Sequence, residues 1–333
     1  MNSTALARLR NWMGERGLEQ FFVQNPENFA WLTGGGENTV VTFRPVGALL
    51  EVTPDTVRLH SSRIEASRLR EEELGELEVV TYPWYAPLPQ GPNDSGHDLT
   101  PLRLVLSLEE QNRYRLLGQE TAAALGEGVR FADPQWSEYD LAAAVSEELI
   151  AKGIQPLVLL VAGEERVFRY RHPVPKPRPL GRLFMAVVCG RRAGLVASVT
   201  RLRSFGHPEA KALNEQVCQI EAATLNASKP GATLGEVLEA TKAAYAAIGR
   251  PEEFENHHQG GLAGYRPREV LAVPGEGTRL GHGMALAWNP SLPGGKVEDT
   301  FLLSEEGLEN LTFDPRWPVM EVEGRLRPTV YEG

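Results

Sequence analysis

Apolar and polar positions alternate over the first 85 residues in a way that predicts short strands and two helices. Leu6, Leu9 and Trp12 fall on one face of a helix over residues 3–16, which Gly17 would end. A second helix is expected at RIEASRLREEEL, and strands at QFFVQ, GALLEV, TVRLHSS and LEVVTYPW. Helices and strands mixed over so short a stretch indicate a small α/β domain.

Residues 85–102 interrupt this pattern with proline, glycine, asparagine and aspartate, in YAPLPQGPNDSGHDLTPL. Such a composition is typical of a linker or a long surface loop. Because a single core stops growing at roughly 250–300 residues, a chain of 333 residues favours two domains. We therefore predict a first domain over residues 1–104 and a second over residues 105–333.

Start signals mark the helices of the second part. In a capping box, a hydroxyl and a carboxylate satisfy each other's backbone donors, and three pairs have its spacing: Ser107-x-x-Glu110, Ser137-x-x-Asp140 and Thr233-x-x-Glu236. The last two helices would end at Gly153 and Gly249, each 16 residues after its cap. With long helices before them at 107–125 and 208–227, they suggest two related halves, although chance also explains such a likeness.

Strand-forming runs lie between and after these helices. Residues 182–206, RLFMAVVCGRRAGLVASVTRLRSFG, predict a hairpin with a buried face, and residues 284–312 supply a second pair of strands. Helices beside antiparallel strands indicate an α+β architecture.

Composition and charge narrow the class of protein. The chain is 42% hydrophobic and 23% charged, and its formal net charge is -10, with lysine and arginine dispersed. Nucleic acid or an anionic membrane would require a basic stripe, so neither is expected as a partner. Apolar runs fall short of the ~20 residues of a membrane span, and two cysteines imply no disulfide framework. These features predict an acidic cytoplasmic protein.

Most motifs that could carry chemistry have a simpler explanation. Ser95, His97 and Asp98 stand together in NDSGHD, yet a catalytic triad is assembled in space, and this segment reads as a surface loop. LTGGGENT lacks the lysine of a phosphate loop, and neither H-E-x-x-H nor C-x-x-C occurs. The remaining candidates are His172, the pair His257-His258, and Glu298-Asp299. If residues 257–258 are extended, their rings point to opposite faces.

Several of these segments resemble one family. GLEQFFVQNPENFAWLTG at 17–34 is similar to the N-terminal domain of the creatinase, prolidase and Xaa-Pro aminopeptidase family, where its last residues form a turn after a strand. Further landmarks are SVTR, KPGAT, HHQGGLAG, the pair Gly283-Met284, and GGKVEDTFLLSEEGLENLT. The resemblance covers nearly the whole chain. It implies a small α/β domain followed by a "pita-bread" α+β domain, whose two pseudo-symmetric halves enclose a site for two metal ions.

The metal ligands of that family do not carry over. Its active peptidases use two aspartates eleven residues apart, one histidine and two glutamates, and these positions fall on Val187, Ser198, Gly261, Asn289 and Glu298. No Asp or Glu occurs between residues 182 and 208, so the aspartate pair is missing in any register. Two divalent cations bring four positive charges, which one carboxylate cannot balance. We therefore expect no dinuclear metal site and no cofactor.

The resemblance implies a pocket in which His172, His257 and Glu298 are candidate catalytic residues. His172 corresponds to a substrate-side histidine of the family and His257 to an outer one, whereas the peptidases carry another histidine at Arg268. Candidate substrate-binding residues in this pocket are Arg201, Tyr265, Arg268, Asn289 and Lys296. Its cations outnumber its carboxylate, so an anionic small molecule or short peptide is the expected ligand.

Four functions stay open at this point. The chain could bind a small molecule or peptide without catalysis, or hydrolyse a C–N bond without metal, as creatinase does with a histidine as general acid and base. It could instead be an active Xaa-Pro peptidase with an unconventional metal set, or a protein-binding module, since fold alone does not fix function. The first two are favoured. The family also implies a homodimer.

Overall fold

The structure is a computed structural model that describes residues 1–40 and 47–333. The chain folds into two compact units. The first comprises Met1–Ser107 together with Arg192–Leu195, and the second comprises Leu108–Arg191 and Val196–Gly333. The boundary predicted after residue 104 stays a prediction.

The first unit is a four-stranded sheet with helices. Its helices are α1 (Ser3–Gly14), α2 (Pro26–Thr33), α3 (Ala66–Arg68), continued by a π-helical turn over Leu69–Leu74, and α4 (Thr100–Arg103). Its strands are β1 (Phe21–Val23), β2 (Ala48–Val52), β3 (Val57–Ser62) and β4 (Glu78–Tyr82), in that order across the sheet. The β1–β2 and β2–β3 pairs are antiparallel and β3–β4 is parallel.

Two features of this unit differ from the expectation. The turn expected at NPENFAWLTG is the helix α2, which ends at Gly34 in a left-handed conformation with φ 84°. The segment 85–102 is partly packed, because the buried carboxylate of Asp94 accepts hydrogen bonds from the backbone of Gln24 and Asn25, just before α2. His97 meanwhile packs edge-on against Trp12. The segment 85–102 therefore makes buried contacts although its composition is typical of a linker.

The second unit contains five helices and two main sheets. The helices are α5 (Leu108–Phe131), α6 (Glu138–Ile150), α7 (Glu164–Val167), α8 (Ala210–Ala227) and α9 (Leu234–Ala247), with a 3₁₀ turn over Pro251–Asn256. The capping boxes at the starts of α6 and α9 both form. Helix α5 runs past the expected end at residue 125, and its two late glycines are sites of close packing. A Cβ on Gly128 would lie 2.7 Å from the Val145 side chain of α6.

The strands of the second unit are β5 (Gln155–Ala162), β6 (Leu183–Arg192), β7 (Leu195–Ser204), β8 (Gly260–Ala263), β9 (Val270–Leu271), β10 (Ala285–Trp288), β11 (Ser291–Leu292), β12 (Gly295–Lys296), β13 (Asp299–Ser304), β14 (Gly307–Asn310), β15 (Val319–Val322), β16 (Arg325–Pro328) and β17 (Tyr331–Glu332). One sheet has the order β17-β7-β6-β5 and the other β14-β13-β10-β8-β9. An antiparallel bridge between Thr200 and Glu298 joins them. This junction positions the candidate site.

The predicted hairpin at 182–206 is confirmed as β6 and β7, which are almost entirely buried. Ala193 and Gly194 form its turn with positive φ angles of 48° and 81°. Among the residues that the structure describes, no helix is long and apolar enough to cross a membrane.

Candidate functional site

A cavity of about 130 Å³ lies where the two sheets of the second unit meet. One wall is apolar and comes from two neighbouring strands, β5 and β6. Val158 pairs with Cys189 across these strands, and Leu160 pairs with Val187. Because side chains two residues apart in a strand share a face, all four line the cavity.

The opposite wall is charged. Glu298 precedes β13 and is only 2% exposed. Its Oε1 accepts a hydrogen bond from Arg268 Nη2 at 2.8 Å, and its Oε2 lies 3.5 Å from Lys296 Nζ. Thr200 Oγ1 on β7 also donates to Oε2, at 3.2 Å. Two side-chain cations and a hydroxyl therefore surround one carboxylate.

These cations determine the protonation of Glu298. Burial alone would raise the pKa of its carboxyl, but Lys296 and Arg268 together more than reverse this and hold the pKa below its usual value. Glu298 is therefore ionised at neutral pH, and it balances one of its two cationic neighbours.

Three histidines form a cluster beside the charged wall. The Nε2 atoms of His172 and His257 are 3.0 Å apart, which is hydrogen-bonding distance if one nitrogen carries the proton. The His258 ring lies 4.6 Å from that of His257 and 5.7 Å from that of His172, measured between centroids. The expectation that His258 points away from His257 is wrong. Strand β8 begins only at Gly260, so the strict alternation of a strand does not apply to residues 257–258.

All three imidazoles favour the neutral form. Burial is the largest cause in each case. It lowers the pKa of His258 to about 4, assisted by Arg268, and it lowers the pKa of His172 and His257, assisted by Lys296. The cluster is thus uncharged at neutral pH, which leaves the cavity side chains with one positive charge in excess.

Asn289 lies directly after β10 and lines the same cavity. The residue is 2% exposed, and among the described residues its Oδ1 atom has no hydrogen-bond partner. Arg268 Nε is likewise buried and has no hydrogen-bond partner among the described residues. A buried acceptor and a buried donor without partners cost free energy, so they mark places where a ligand or ordered water would bind.

Three of the five positions that correspond to the family's metal ligands line this cavity, namely Val187, Asn289 and Glu298. Of the five, only Glu298 offers an ionised oxygen. Val187 is part of the apolar wall. Ser198 is fully buried, with its Oγ 3.3 Å from Cys189 Sγ and its backbone bonded to Thr300. Gly261 adopts φ 154°, and a Cβ there would lie 2.1 Å from Val270 O.

The structure does not bring two of the predicted substrate-binding residues to the cavity. Arg201 is 3% exposed and its guanidinium bonds Asp299 Oδ1 at 3.0 Å and Thr312 O at 2.9 Å. Successive side chains of a strand point to opposite faces. Arg201 on β7 therefore points away from the face of its neighbour Thr200, which contacts Glu298. Tyr265 instead donates from its hydroxyl to Glu110 Oε1 on helix α5, at 2.7 Å. Both predictions are corrected to contacts within the fold.

Sequence reasoning expected His258 on the face opposite to His257, and it missed several other lining residues: Val158, Leu160, Cys189 and Pro267. The apolar ones carry no chemical signal, since they read as ordinary strand residues. His258 could have been found only by recognising that the strand starts after it. In the described part of the chain, Glu298 has no hydrogen bond to either of the other two candidate catalytic residues, His172 and His257; its side-chain hydrogen-bond partners are Thr200 and Arg268.

Among the described residues, one cluster of side chains could hold a single metal ion. One ring nitrogen from each of His172, His257 and His258 lies within 4.8 Å of the others. Neutral imidazoles are ligands for zinc and similar ions. However, Arg268 and Lys296 stand beside this cluster with one carboxylate between them, and their charge opposes a bound cation.

Comparison with known proteins identifies the class to which this fold and cavity belong. Residues 112–305 match the model of metallopeptidase family M24, and residues 6–131 match the creatinase/prolidase N-terminal domain. The chain therefore belongs to metallopeptidase family M24. The predicted architecture, a creatinase-type N-terminal domain followed by an α+β pita-bread domain, is confirmed.

Individual relatives are distant. A probable dipeptidase, PepE of Mycobacterium tuberculosis, is 24% identical over 216 residues, which are 62% of this chain and 58% of that protein. The match thus spans less than two thirds of the relative's length. The prolidase of Pyrococcus horikoshii OT3 has a similar structure, with a TM-score of 0.79 and 19% identity over 94% of this chain and 99% of that one. The N-terminal domain of the FACT complex subunit SPT16 from chickpea is also similar, with a TM-score of 0.68 and 12% identity over 93% and 96%.

Proposed function

We propose that this M24 homologue has lost the dinuclear metal site and acts as a metal-free protein that binds a small molecule or short peptide. The observation that carries the proposal is the environment of Glu298. One of its carboxylate oxygens accepts a hydrogen bond from Arg268, and the other lies 3.5 Å from Lys296 Nζ. A carboxylate neutralised in this way has little charge left to offer to metal ions.

The donor set does not fit the dinuclear centre that the family implies. Val187 has no ligand atom, the Ser198 hydroxyl is a weak neutral donor, and Asn289 supplies at most an amide oxygen. At Gly261 the backbone leaves no space for any side chain, because the nearest backbone oxygen would lie 2.1 Å from a Cβ.

The ligand should be anionic at one end. Arg268 and Lys296 lie with Glu298 beside a neutral histidine cluster, so a negative group would balance the excess charge. The opposite wall of Val158, Leu160 and Val187 suits an apolar group. This combination supports binding of a small organic anion better than binding of a protein.

The contact between His172 and His257 favours a second candidate, hydrolysis of a C–N bond without metal. If the donor ring takes up a proton at its Nδ1 atom, it can pass its Nε2 proton to the other ring, because the two Nε2 atoms are 3.0 Å apart. His172 is exposed, so one of the two rings is accessible to a substrate and to water. In this version His172 takes a proton from the water that attacks the carbon and returns it to the nitrogen when the C–N bond breaks. His257 accepts the Nε2 proton of His172 in the first step and gives it back in the second.

Metal content and peptidase activity of the purified full chain test the main proposal. We expect well under two metal ions per chain by elemental analysis, and no cleavage of Xaa-Pro dipeptides with or without added Mn²⁺. Two tightly bound ions, or manganese-dependent cleavage abolished by Glu298→Gln, would contradict it. One ion lost on His258→Ala would assign that ion to the three imidazoles; it would contradict the metal-free state while leaving the dinuclear site absent.

Turnover separates the two candidate functions. A thermal-shift screen of small anions first identifies ligands, because a ligand that binds only the folded state raises its apparent stability. If the chain only binds, His172→Gln and His257→Gln change affinity and no ligand is consumed. If it hydrolyses its ligand, both variants lose turnover while the matched change at exposed His282 does not.

A cytoplasmic location and a homodimer remain part of the proposal, and binding to nucleic acid or membranes is not expected. The net charge of -10 supports the expectation that the chain binds neither nucleic acid nor anionic membranes. Sedimentation of the purified chain would measure the oligomeric state directly.

A further inference from the structure

We propose that the cavity of the second unit binds a small amino acid as its zwitterion. This inference rests on the proposed function of the chain as a metal-free ligand-binding protein, and it specifies the ligand. Three observations carry it: an excess cation, a buried acceptor without a partner, and a small apolar space.

The excess cation calls for a carboxylate. Arg268 and Lys296 share the single charge of Glu298, at 2.8 Å and 3.5 Å. Arg268 Nε is buried and has no partner within the described residues, so the guanidinium still has an N–H to donate. Arginine commonly binds carboxylates through two parallel N–H groups, so a ligand carboxylate would satisfy this donor and lie beside a cation.

Asn289 calls for a donor on the same ligand. Asn289 lines the cavity and is 2% exposed, and no described residue donates to its buried Oδ1 atom. A carboxylate has no hydrogen to give, so an anion alone would leave this acceptor unpaired. An ammonium group would donate to Oδ1. The site therefore recognises two polar groups of opposite character.

The volume and the apolar wall of the cavity determine the size of the ligand and its third chemical group. A volume of about 130 Å³ is well below the roughly 300–1,000 Å³ of pockets that hold drug-sized ligands. Val158, Leu160 and Val187 face this space from β5 and β6. A short aliphatic side chain fits this wall, and a volume this small favours a single amino acid over a dipeptide. Carboxylate, ammonium and short aliphatic group together define a small aliphatic amino acid.

Calorimetry on the full-length protein with two matched ligand series tests this assignment. L-valine is compared with isovalerate, which lacks only the ammonium group, and with isobutylamine, which lacks only the carboxylate. L-alanine is compared in the same way with propionate and ethylamine. We expect each amino acid to bind about ten-fold or more tightly than its two analogues, because each analogue leaves one buried polar group unpaired.

Variants assign the two ends of the ligand. Asn289→Leu should lower the affinity for valine about ten-fold more than that for isovalerate, and Arg268→Gln should weaken both carboxylates. Asn289→Asp keeps an acceptor but adds a negative charge, so it should weaken isovalerate more than isobutylamine and provides a second measurement if the leucine variant is unstable. Exposed Arg316→Gln serves as the matched control and should alter none of these affinities.

Three results would overturn the inference: isovalerate binding as tightly as valine, an unchanged valine-to-isovalerate ratio in both Asn289 variants, or tighter binding of a dipeptide such as Ala-Pro than of either amino acid. These outcomes leave the proposed function intact if metal and cleavage are absent. Two bound metal ions or manganese-dependent cleavage would instead reject the proposed function, whatever the amino acids do.

Discussion

Glu298 is balanced by side chains of the protein itself. Lys296 comes from the short strand β12 two residues earlier, and Arg268 from the segment between β8 and β9. Removing one partner of a buried charge pair leaves the other uncompensated, which is much more costly than replacing both. Replacing Glu298 alone is therefore expected to cost more stability than replacing it together with its two cationic neighbours.

Arg201 provides the first prediction at the scale of residues. Its guanidinium bonds Asp299 Oδ1, while Asp299 Oδ2 accepts from Arg327 Nη2 at 2.7 Å, and all three side chains are at most 3% exposed. Arg201→Met leaves part of this buried charge unpaired. We expect it to lower the free energy of unfolding by about 3 kcal/mol, measured by urea denaturation.

The same variant distinguishes a structural arginine from a ligand-binding one. If Arg201 contacted the ligand, as the sequence suggested, Arg201→Met would weaken binding of small anions at least as much as Arg268→Gln does. The exposed Arg316→Met is the reference for a surface ion pair, whose loss costs at most about 1 kcal/mol.

Strand β8 carries the next prediction, at the scale of elements. Gly261 has φ 154°, and a Cβ would meet Val270 O at 2.1 Å and Ala272 N at 2.9 Å on the neighbouring strand. Gly261→Ala should therefore destabilise the protein by more than about 3 kcal/mol or prevent its soluble expression. Gly277→Ala is the matched control, because a Cβ there meets nothing within 4 Å. Equal melting temperatures for the two variants would show that β8 tolerates side chains.

The helix caps give a milder prediction for the elements. Ser137 Oγ accepts from Asp140 N, and Thr233 Oγ1 accepts from Glu236 N, both at 3.2 Å. Ser137→Ala and Thr233→Ala each remove one partner of the first-turn donors, so each should cost about 1 kcal/mol of stability in thermal or urea unfolding. A cost near zero at either site would mean that solvent replaces that cap fully.

Local signals explain why these elements could be predicted from the sequence. Cap residues, ending glycines and β-branched runs act over a few neighbours, so α6, α9 and the β6–β7 hairpin were predicted correctly. The end of α5 was not, because Gly128 is held in the helix by its close approach to Val145, a contact distant in sequence. The position of the Arg201 side chain depends on its hydrogen bond to Asp299, 98 residues away, so it could not be predicted from local sequence either.

The candidate site was only partly predictable for the same reason. The family resemblance identified His172, His257, Arg268, Lys296 and Glu298, which the fold brings to one region. It could not show that Glu298 pairs with cations rather than with a histidine, since hydrogen-bond partners depend on side-chain positions. The apolar wall of β5 and β6 emerged only from the register of those strands.

At the scale of the whole molecule, the histidine cluster makes stability depend on pH. Burial lowers the pKa of His172, His257 and His258 below the ordinary value of 6.5, to about 4 for His258. Below pH 6.5 the unfolded chain binds protons at these positions and the folded chain does not. Stability is therefore fully present above pH 6.5 and falls as the pH decreases toward 4. Glu298, with its lowered pKa, adds a loss in the same direction only below about pH 4.5.

Urea unfolding at pH 7.5 and pH 5 measures this dependence. His258→Gln should reduce the stability lost between the two pH values by about 1 kcal/mol, allowing for the partial exposure of the ring to solvent. His282→Gln, at an exposed position, should leave the loss unchanged. If the three imidazoles were instead charged in the folded state, His258→Gln would increase the loss. Binding of an anion next to Arg268 would favour imidazole protonation, so the same measurement with saturating ligand should show a smaller loss at pH 5 than without it.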